Sequence, residues 1–261
     1  MRNPDSTAVI EARGLTKRFG PVTAVDGIDF DIAAGSITAL LGGNGAGKTT
    51  TIAMILGLVE PSAGSIRVFG HALPKNFHRV LPRMNFESPY VDLPHRLSVM
   101  QNLKVYARLY GVVDAGARIA RLAADLELES FLHRPVGDLS AGQKTRVSLA
   151  KSLINAPSLL LLDEPTASLD PDTADWVRAY LENYRLAHQA TILLASHNMA
   201  EVERMCDLVL MMRRGQIVDS GAPGALVERY GRRNMEEVFL DIARGTGKGA
   251  ALAAAGAKAE P

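Results

Sequence analysis

Two stretches near the start of the chain alternate apolar and polar side chains. Residues 8–32 carry this period of two most clearly in their second half, and residues 65–69 repeat it. Alternate side chains of a strand point to opposite faces, so the pattern predicts short strands with one buried face. Turn residues near Gly20 and Gly27 separate them and favour antiparallel pairing.

Other apolar stretches predict strands that are buried more fully. Leu159–Leu162 is an unbroken run of four leucines, and Thr191–Ala195 is similar. Strands covered on both faces, as in a parallel sheet, have this composition. Residues 36–41 predict another buried strand, and residues 207–212 and 216–219 predict two more.

The middle of the chain changes to helical spacing. Ser98 and Gln101 have the spacing of a capping box, as do Ser140 and Gln143, and each pair precedes apolar positions three and four residues apart. The sequence therefore predicts a helical insertion over residues 86–154. Asp170 followed by a proline predicts the start of a further helix.

A glycine-rich segment lies between the strand at 36–41 and a short helical pattern. It contains G-x-x-x-x-G-K-T, with Gly42, Gly47, Lys48 and Thr49 in the fixed positions. Glycines let backbone N–H groups turn toward an anion, and a helix N-terminus adds partial positive charge. Strand, glycine loop and helix predict a phosphate-binding loop, whereas the alternative is a glycine turn that arose by chance.

Two polar pairs end buried strands. Asp163-Glu164 follows the leucine run, and Ser196-His197 follows Thr191–Ala195. Carboxylates beside a phosphate loop suit Mg²⁺ binding and water activation, and a histidine there suits contact with the terminal phosphate. The alternatives are surface carboxylates at a strand end and a structural histidine.

Composition limits the function classes. The 29 basic and 28 acidic residues nearly balance, so no strong electrostatic case exists for binding nucleic acid. The one cysteine, Cys206, excludes an intramolecular disulfide and is expected to be a buried, inert thiol. No apolar run approaches the ~20 residues that cross a bilayer, so we expect a cytoplasmic protein.

The order of the motifs carries a family resemblance. The segment Leu139-Ser-Ala-Gly-Gln143 lies between the phosphate loop and LLLLDEP, and Ser168-Leu-Asp170 and Ser196-His197 follow. This order resembles the ATP-binding cassette (ABC) ATPases over residues 9 to 220. The resemblance implies an α/β fold: a P-loop NTPase core with a mostly parallel sheet, an antiparallel β-subdomain and the helical insertion.

The resemblance also implies roles for particular residues. Glu164, His197 and Lys48 would be catalytic, and Thr49, Asp163 and Glu87 would bind Mg²⁺. ATP would lie in a head-to-tail dimer, with Phe19 stacked on adenine unless that ring is a core aromatic. The implied nucleotide-binding residues are Phe19, Gly42, Gly43, Asn44, Gly45, Ala46, Gly47, Lys48, Thr49, Thr50 and Asp170 together with, from the other subunit, Ser140, Gly142 and Gln143.

Two positions depart from the family pattern. Gly43 stands where proline is usual, which makes the loop more flexible. Glu87 stands where the switch segment usually has glutamine, and a carboxylate there is still able to bind Mg²⁺ or water. The adjoining connector, residues 86–96, carries apolar Tyr90 and Leu93, which we expect to form a surface for a permease.

The expected domains are an ABC nucleotide-binding domain over 1–231, a short helix over 232–244 and a disordered tail over 245–261. The segment Glu236-Glu-Val-Phe-Leu240 resembles the ending of drug, lipid and polysaccharide exporter subunits. We therefore expect an ATPase subunit that drives a separate membrane permease from the inner face of the membrane. The alternatives are an importer subunit and a non-transport ABC ATPase acting on ribosomes or DNA.

Overall fold

A computed structural model of the protein describes residues 8–88, 92–167 and 169–244. The chain forms two compact units. The first comprises the described residues up to 77 and those from 191 onward, and the second comprises the described residues of 78–190. The predicted disordered tail over 245–261 lies outside the described residues.

The strands are numbered in chain order: β1 (Ala8–Phe19), β2 (Val22–Ala33), β3 (Ile37–Leu41), β4 (Ala63–Val68), β5 (His71–Ala72), β6 (Met84–Glu87), β7 (Leu159–Asp163), β8 (Thr191–Ser196), β9 (Leu208–Arg213) and β10 (Gln216–Gly221).

The helices are numbered in the same way: α1 (Lys48–Ile55), α2 (Phe77–Val80), α3 (Val99–Leu109), α4 (Ala115–Asp125), α5 (Ala141–Ser152), α6 (Pro171–His188), α7 (Met199–Met205), α8 (Pro223–Tyr230) and α9 (Met235–Arg244). Short 3-10 helices lie at Leu81–Arg83, Glu129–Phe131 and Val136–Asp138.

The first unit contains the predicted antiparallel strands as one sheet, in the order β2-β1-β4-β5. The turn expected near Gly20 separates β1 from β2. The turn expected near Gly27 is wrong, because Gly27 lies inside β2, where the register shifts against β1. Its positive φ of 61° and the hydrogen bond from its N–H to Thr16 Oγ1 accommodate an extra residue without ending the strand.

The first unit also contains four neighbouring strands in the order β10-β9-β3-β8. β3 is parallel to both β8 and β9, while β10 returns antiparallel to β9. All five residues of β3 and all six of β8 are buried, as the apolar composition predicts. Because the strands are parallel, their carboxyl ends meet at one edge of the sheet.

The last three helices complete the first unit. α9 packs against α7 and α8 and buries Met235, Val238 and Ile242. Cys206, at the end of α7, is buried, and that burial raises the pKa of its thiol. The expected burial of this thiol is confirmed, and its inertness stays a prediction.

The second unit pairs β6 in parallel with β7 and surrounds this pair with helices. The four leucines of β7 are fully buried. Both predicted capping boxes are present: Ser98 caps α3 with Gln101, and Ser140 caps α5 with Gln143. The predicted fold class, α/β with parallel strands, an antiparallel sheet and added helices, is confirmed.

Candidate functional site

The predicted phosphate loop connects β3 to α1 and is shaped by close backbone contacts. Gly47 begins the helix with a φ of 106°, which L side chains rarely adopt. A Cβ atom at Gly47 would lie 2.6 Å from the carbonyl oxygen of Ala24, and one at Gly42 would lie 2.5 Å from that of Met212. Both positions therefore require glycine, and the loop is a built feature rather than a chance turn.

Lys48 is the first residue of α1, and only 7% of it is exposed. Its Nζ donates to the carbonyl oxygens of Gly42 at 2.6 Å and Gly43 at 3.3 Å. The ammonium group is thereby held against the loop, next to the N–H groups at the start of the helix. This arrangement concentrates positive charge where a phosphate would bind.

The turn between β9 and β10 supports the loop from the side. The N–H of Gly215 donates to the carbonyl oxygen of Ala46 at 3.0 Å, and its own carbonyl accepts from the N–H of Asp26 at 2.9 Å. These bonds fix the loop between the turn and β2. Thr49, Asn44 and Gly45 remain exposed at its rim.

The parallel register places His197 beside the loop. Leu41 is the partner of Ser196 across the β3–β8 pair, so the residues that follow them leave adjacent strand ends. Ser196 is fully buried; its hydroxyl donates to Glu201 Oε2 at 2.7 Å and accepts from the N–H of Asn198 at 3.0 Å. Glu201, which the sequence analysis missed, thus fixes the strand end that carries His197.

Asp163 and Glu164 lie in the second unit, at the carboxyl end of β7. Asp163 is 2% exposed, and Glu164 has a left-handed backbone with a φ of 55°. That region is uncommon for a residue other than glycine, and such strain is often found where function dictates the backbone. Asp163 is thus buried at the end of the strand, whereas Glu164 is partly exposed.

Glu87 ends β6 next to β7 and is tied to α5. Its carboxylate accepts from the hydroxyl of Ser148 at 2.5 Å and lies 3.3 Å from the ammonium of Lys151. Lys151 is itself 4% exposed and also donates to the carbonyl oxygen of Phe86 at 2.8 Å. Burial raises the pKa of Glu87, and the charge of Lys151 acts in the opposite direction.

The Glu87 contacts bear on its expected role as a Mg²⁺ ligand. Binding an ion there would require the carboxylate to exchange Ser148 or Lys151 for the metal. Magnesium binding by Glu87 stays a prediction, and the contacts themselves assign Glu87 to the support of α5.

The segment Leu139–Gln143, which resembles the signature sequence of the ABC ATPases, leads into α5. Ser140 is exposed, and its hydroxyl accepts from the N–H of Gln143 while the Gln143 side chain accepts from the N–H of Ser140. Gly142 faces Thr173 of α6, with room for a Cβ atom at 3.5 Å. Asp170 caps α6 through the N–H of Thr173, and this bond lowers the pKa of its carboxyl.

Phe19 lies at the end of β1 with half of its surface exposed. The ammonium of Lys17 lies 5.0 Å from the centre of its ring. The ring is therefore not a core aromatic, and stacking on adenine stays a prediction. An exposed aromatic at a strand end offers the flat apolar surface that such stacking needs.

The sequence-predicted residues thus fall into two groups. The first unit brings together the phosphate loop, Lys48 and the strand end before His197, whereas the second brings together Glu87 and the strand that ends at Asp163. Ser148 and Lys151 were missed because their contacts with Glu87 join elements that are distant in sequence. Glu201 was missed although Ser196 is only five residues away, since no motif marks that pair.

The described residues contain neither a membrane-spanning helix nor a cluster of metal-binding side chains. No helix within them is long and apolar enough to cross a membrane. They also contain no group of three or more histidine, cysteine, aspartate or glutamate side chains placed to hold a metal ion.

Solved structures with similar folds are ATP-binding subunits. A structure described as the ATP-binding subunit of an ABC transporter aligns with a TM-score of 0.81 and 26% identity over 90% of this chain and 99% of its own. CbiO1 from Clostridium perfringens, described as part of the ABC transporter complex cbiONQ, aligns with a TM-score of 0.78 and 28% identity over 91% and 96%.

Sequence comparison gives the same family. The family model described as ABC transporter matches residues 25–167. Nod factor export ATP-binding protein I of Burkholderia orbicola (strain AU 1054) is 39% identical over 85% of this chain and 74% of its own. The protein of that name from Ralstonia nicotianae (strain ATCC BAA-1114 / GMI1000) is 37% identical over 90% and 74%. The chain therefore belongs to the ABC transporter family, as one of its ATP-binding and ATP-hydrolysing subunits.

Proposed function

We propose that this chain binds ATP with Mg²⁺ between two copies of itself and uses its hydrolysis to drive export through a separate membrane permease. The observation that carries the proposal is the glycine cradle at Gly42–Gly47, with the Lys48 ammonium held against it. Other residues are proposed to contribute a particular role in ATP hydrolysis each.

The phosphate loop and Lys48 bind the β- and γ-phosphates and offset their charge. Glu164 accepts a proton from the water that attacks the γ-phosphorus, while the bond from that phosphorus to the ADP oxygen breaks. His197 donates to the γ-phosphate from its position beside the loop. Water is consumed, and ADP and inorganic phosphate are released.

The donor set suits magnesium. Thr49 offers a hydroxyl and Asp163 a buried carboxylate, while the remaining ligands would be phosphate oxygens and water. Mg²⁺ is usually held in this way, by one or two protein oxygens together with substrate phosphates, rather than by an all-protein cage. Bound there, the ion would neutralise charge that develops on the phosphates.

The exposed N-terminus of α5 supports the dimer. Ser140 and Gln143 satisfy two of its N–H groups, and its dipole favours an anion. In the proposed head-to-tail arrangement, Ser140, Gly142 and Gln143 of one copy bind the γ-phosphate held by Lys48 of the other. Phe19 stacks on the adenine, and Asp170 lies near the shared nucleotide.

A cavity in the second unit is our candidate for contact with the permease. It has a volume of about 480 Å³, and Asp92, His95, Lys144 and Thr145 lie along it. The predicted docking side chain Leu93 is 5% exposed, so the expectation that it forms an open surface is wrong, and Tyr90 lies outside the described residues. Leu93 is buried and borders this cavity from within.

Export is the direction we favour because both relatives described above are named as export ATP-binding proteins. The two alternatives, an importer subunit and an ABC ATPase acting on ribosomes or DNA, predict different partners. Affinity purification of the full chain from its host membranes, followed by identification of the bound integral membrane protein, separates them. Recovery of ribosomes or DNA in place of a permease would contradict the proposal.

The composite site has a direct test by mixing. Lys48→Ala and Ser140→Arg subunits should each lack ATPase activity, and a mixed dimer contains one intact site and one site with both defects. We expect activity to return on mixing, because each mixed dimer keeps one intact site. Equal mixtures that stay inactive, although crosslinking shows that mixed dimers form, would contradict the shared site.

A further inference from the structure

The C-terminal helix α9 reaches the phosphate loop. A Cβ atom placed on Gly43 would lie 3.9 Å from Cζ of Phe239 and, within the described part of the chain, would have no other side chain within 4 Å. Phe239 also borders a cavity of about 180 Å³ whose walls are the loop, the end of β9 and α9. We infer that Phe239 is a positioning residue for nucleotide binding: its ring limits the conformations of the loop at Gly43.

The loop needs such support at this position. Gly43 has no side chain of its own, does not adopt a positive φ and therefore has no backbone conformation that requires glycine. Glycine has many accessible backbone conformations, and the observed one does not need a glycine. The loop at Gly43 is therefore free to adopt other conformations unless a neighbouring group restricts it. The ring of Phe239 is the neighbour on that side.

The anchoring of α9 makes the contact firm. Arg232 and Asp241 form a two-bond ion pair, with Nε to Oδ2 at 2.7 Å and Nη2 to Oδ1 at 2.9 Å. The N–H of Met235 donates to Glu203 Oε1 at 2.7 Å, which joins the start of the helix to α7. With Val238 and Ile242 buried beneath it, the helix holds Phe239 in a fixed place.

The other side of the cavity is equally defined. Met212 contributes the carbonyl oxygen that excludes a Cβ atom at Gly42, and the Gly215 turn bonds to Ala46. The loop is thus bonded to the β9–β10 hairpin, and Phe239 of α9 borders the cavity beside it. Removing the ring would free the loop on one side only.

The effect on affinity follows from the population of the binding conformation. If the loop without Phe239 adopts the competent geometry one time in five, apparent affinity for nucleotide falls about fivefold. This inference depends on nucleotide binding by the loop, and neither the dimer nor the direction of transport enters it.

The test uses the full chain and MgADP, which is not hydrolysed, in isothermal titration calorimetry. We expect Phe239→Ala to raise the Kd about fivefold and Phe239→Leu, which keeps apolar volume but lacks the reach of the ring, to raise it about threefold. Leu240→Ala is the matched control, because Leu240 is exposed on the same helix and does not border the cavity. It should leave the Kd unchanged.

A second variant connects the effect to Gly43. Gly43→Ala restricts the backbone from within, and its Cβ would fit at 3.9 Å from the ring. In that background, we expect Phe239→Ala to raise the Kd less than twofold. Equal losses in both backgrounds would overturn the inference, as would a Phe239→Ala protein that binds MgADP like the wild type.

Hydrogen exchange separates positioning from general stability. In the nucleotide-free protein, the amides of Gly43–Ala46 should exchange faster in Phe239→Ala, while those of β3 and β8 should not change. Faster exchange throughout the first unit would show that the ring only stabilises the fold. If Phe239→Ala does not fold, the same comparison with Phe239→Leu decides the matter, because leucine keeps the apolar volume but not the reach of the ring.

Discussion

The carboxylate of Glu87 and the ammonium of Lys151 form a nearly buried ion pair, 3.3 Å apart, between the end of β6 and the last turn of α5. Ser140, at the other end of α5, is the residue that we propose binds the γ-phosphate of the partner's nucleotide. The ion pair therefore connects the end of β6 directly to the helix that begins after Ser140.

Breaking this ion pair should lower the stability of the protein. Lys151→Met keeps the apolar stem but leaves the buried Glu87 carboxylate without its cation, and we expect a loss of about 3 kcal/mol in the free energy of unfolding. Urea denaturation followed by circular dichroism measures it. The double variant with Glu87→Gln should lose less than the sum of the two single variants, and additive losses would mean that the residues do not interact.

The pH dependence of stability should change when Glu87 is removed. Burial raises the pKa of Glu87 from its ordinary value of 4.5, so the native state binds this proton more tightly than the unfolded state does. The stability that protonated Glu87 contributes to the native state is complete below pH 4.5 and is lost as the pH rises through the raised native pKa.

Glu87→Gln does not titrate at this position. Between pH 4.5 and neutrality the wild type loses stability at this position and the variant does not. The free energy of unfolding of Glu87→Gln should therefore increase relative to that of the wild type. Denaturation curves at several pH values in this window provide the measurement. A difference between the two proteins that stays constant across the window would show that the native pKa is not raised.

The two capping boxes allow the anion site at α5 to be tested apart from the helix. Aspartate caps helices as well as serine does, so Ser140→Asp and Ser98→Asp should both leave the melting temperature within about 2 °C of the wild type. Only Ser140→Asp adds a negative charge where we propose that the γ-phosphate binds, and it should abolish ATPase activity. Normal activity in Ser140→Asp would remove Ser140 from the site.

The end of α6 offers a stabilising change that is remote from the proposed chemistry. Gln189 is exposed and has a left-handed backbone, with φ 49° and ψ 35°. Gln189→Gly removes the strain of the Cβ atom there and should add about 1 kcal/mol to the unfolding free energy.

Ala179→Gly is the control for this change, since glycine at this exposed position in the interior of α6 should cost about 1 kcal/mol in the free energy of unfolding. Thermal denaturation of both variants gives the comparison. A decrease in stability for Gln189→Gly would contradict the assigned strain.

The features that could be predicted from the sequence are those that depend on neighbouring residues. Leu159–Leu162 reveals a buried strand, and the Ser140 and Gln143 pair reveals a helix start, because each pattern is local. The phosphate loop belongs to this class as well. The order of this loop and the other motifs along the chain indicates the family.

The features that could not be predicted depend on contacts distant in sequence. Lys151 meets Glu87 across 64 residues, and Phe239 meets Gly43 from the far end of the chain. Leu93 was expected on a surface because its neighbours form no regular element, yet it is buried in the second unit. Gly27 was expected in a turn, because a bulge and a turn use the same residue types.

The central position of β3 determines when the protein becomes able to bind nucleotide during its synthesis. Both partners of β3, β8 and β9, are encoded after the whole second unit, and the bond from Gly35 to Thr191 spans 156 residues. At about 5–20 residues per second, the ribosome needs about 8 to 30 s to cover that distance. Until β8 and β9 have been synthesised, the apolar strand and its glycine loop lack both of these parallel partners, and an unpaired apolar strand is prone to aggregation.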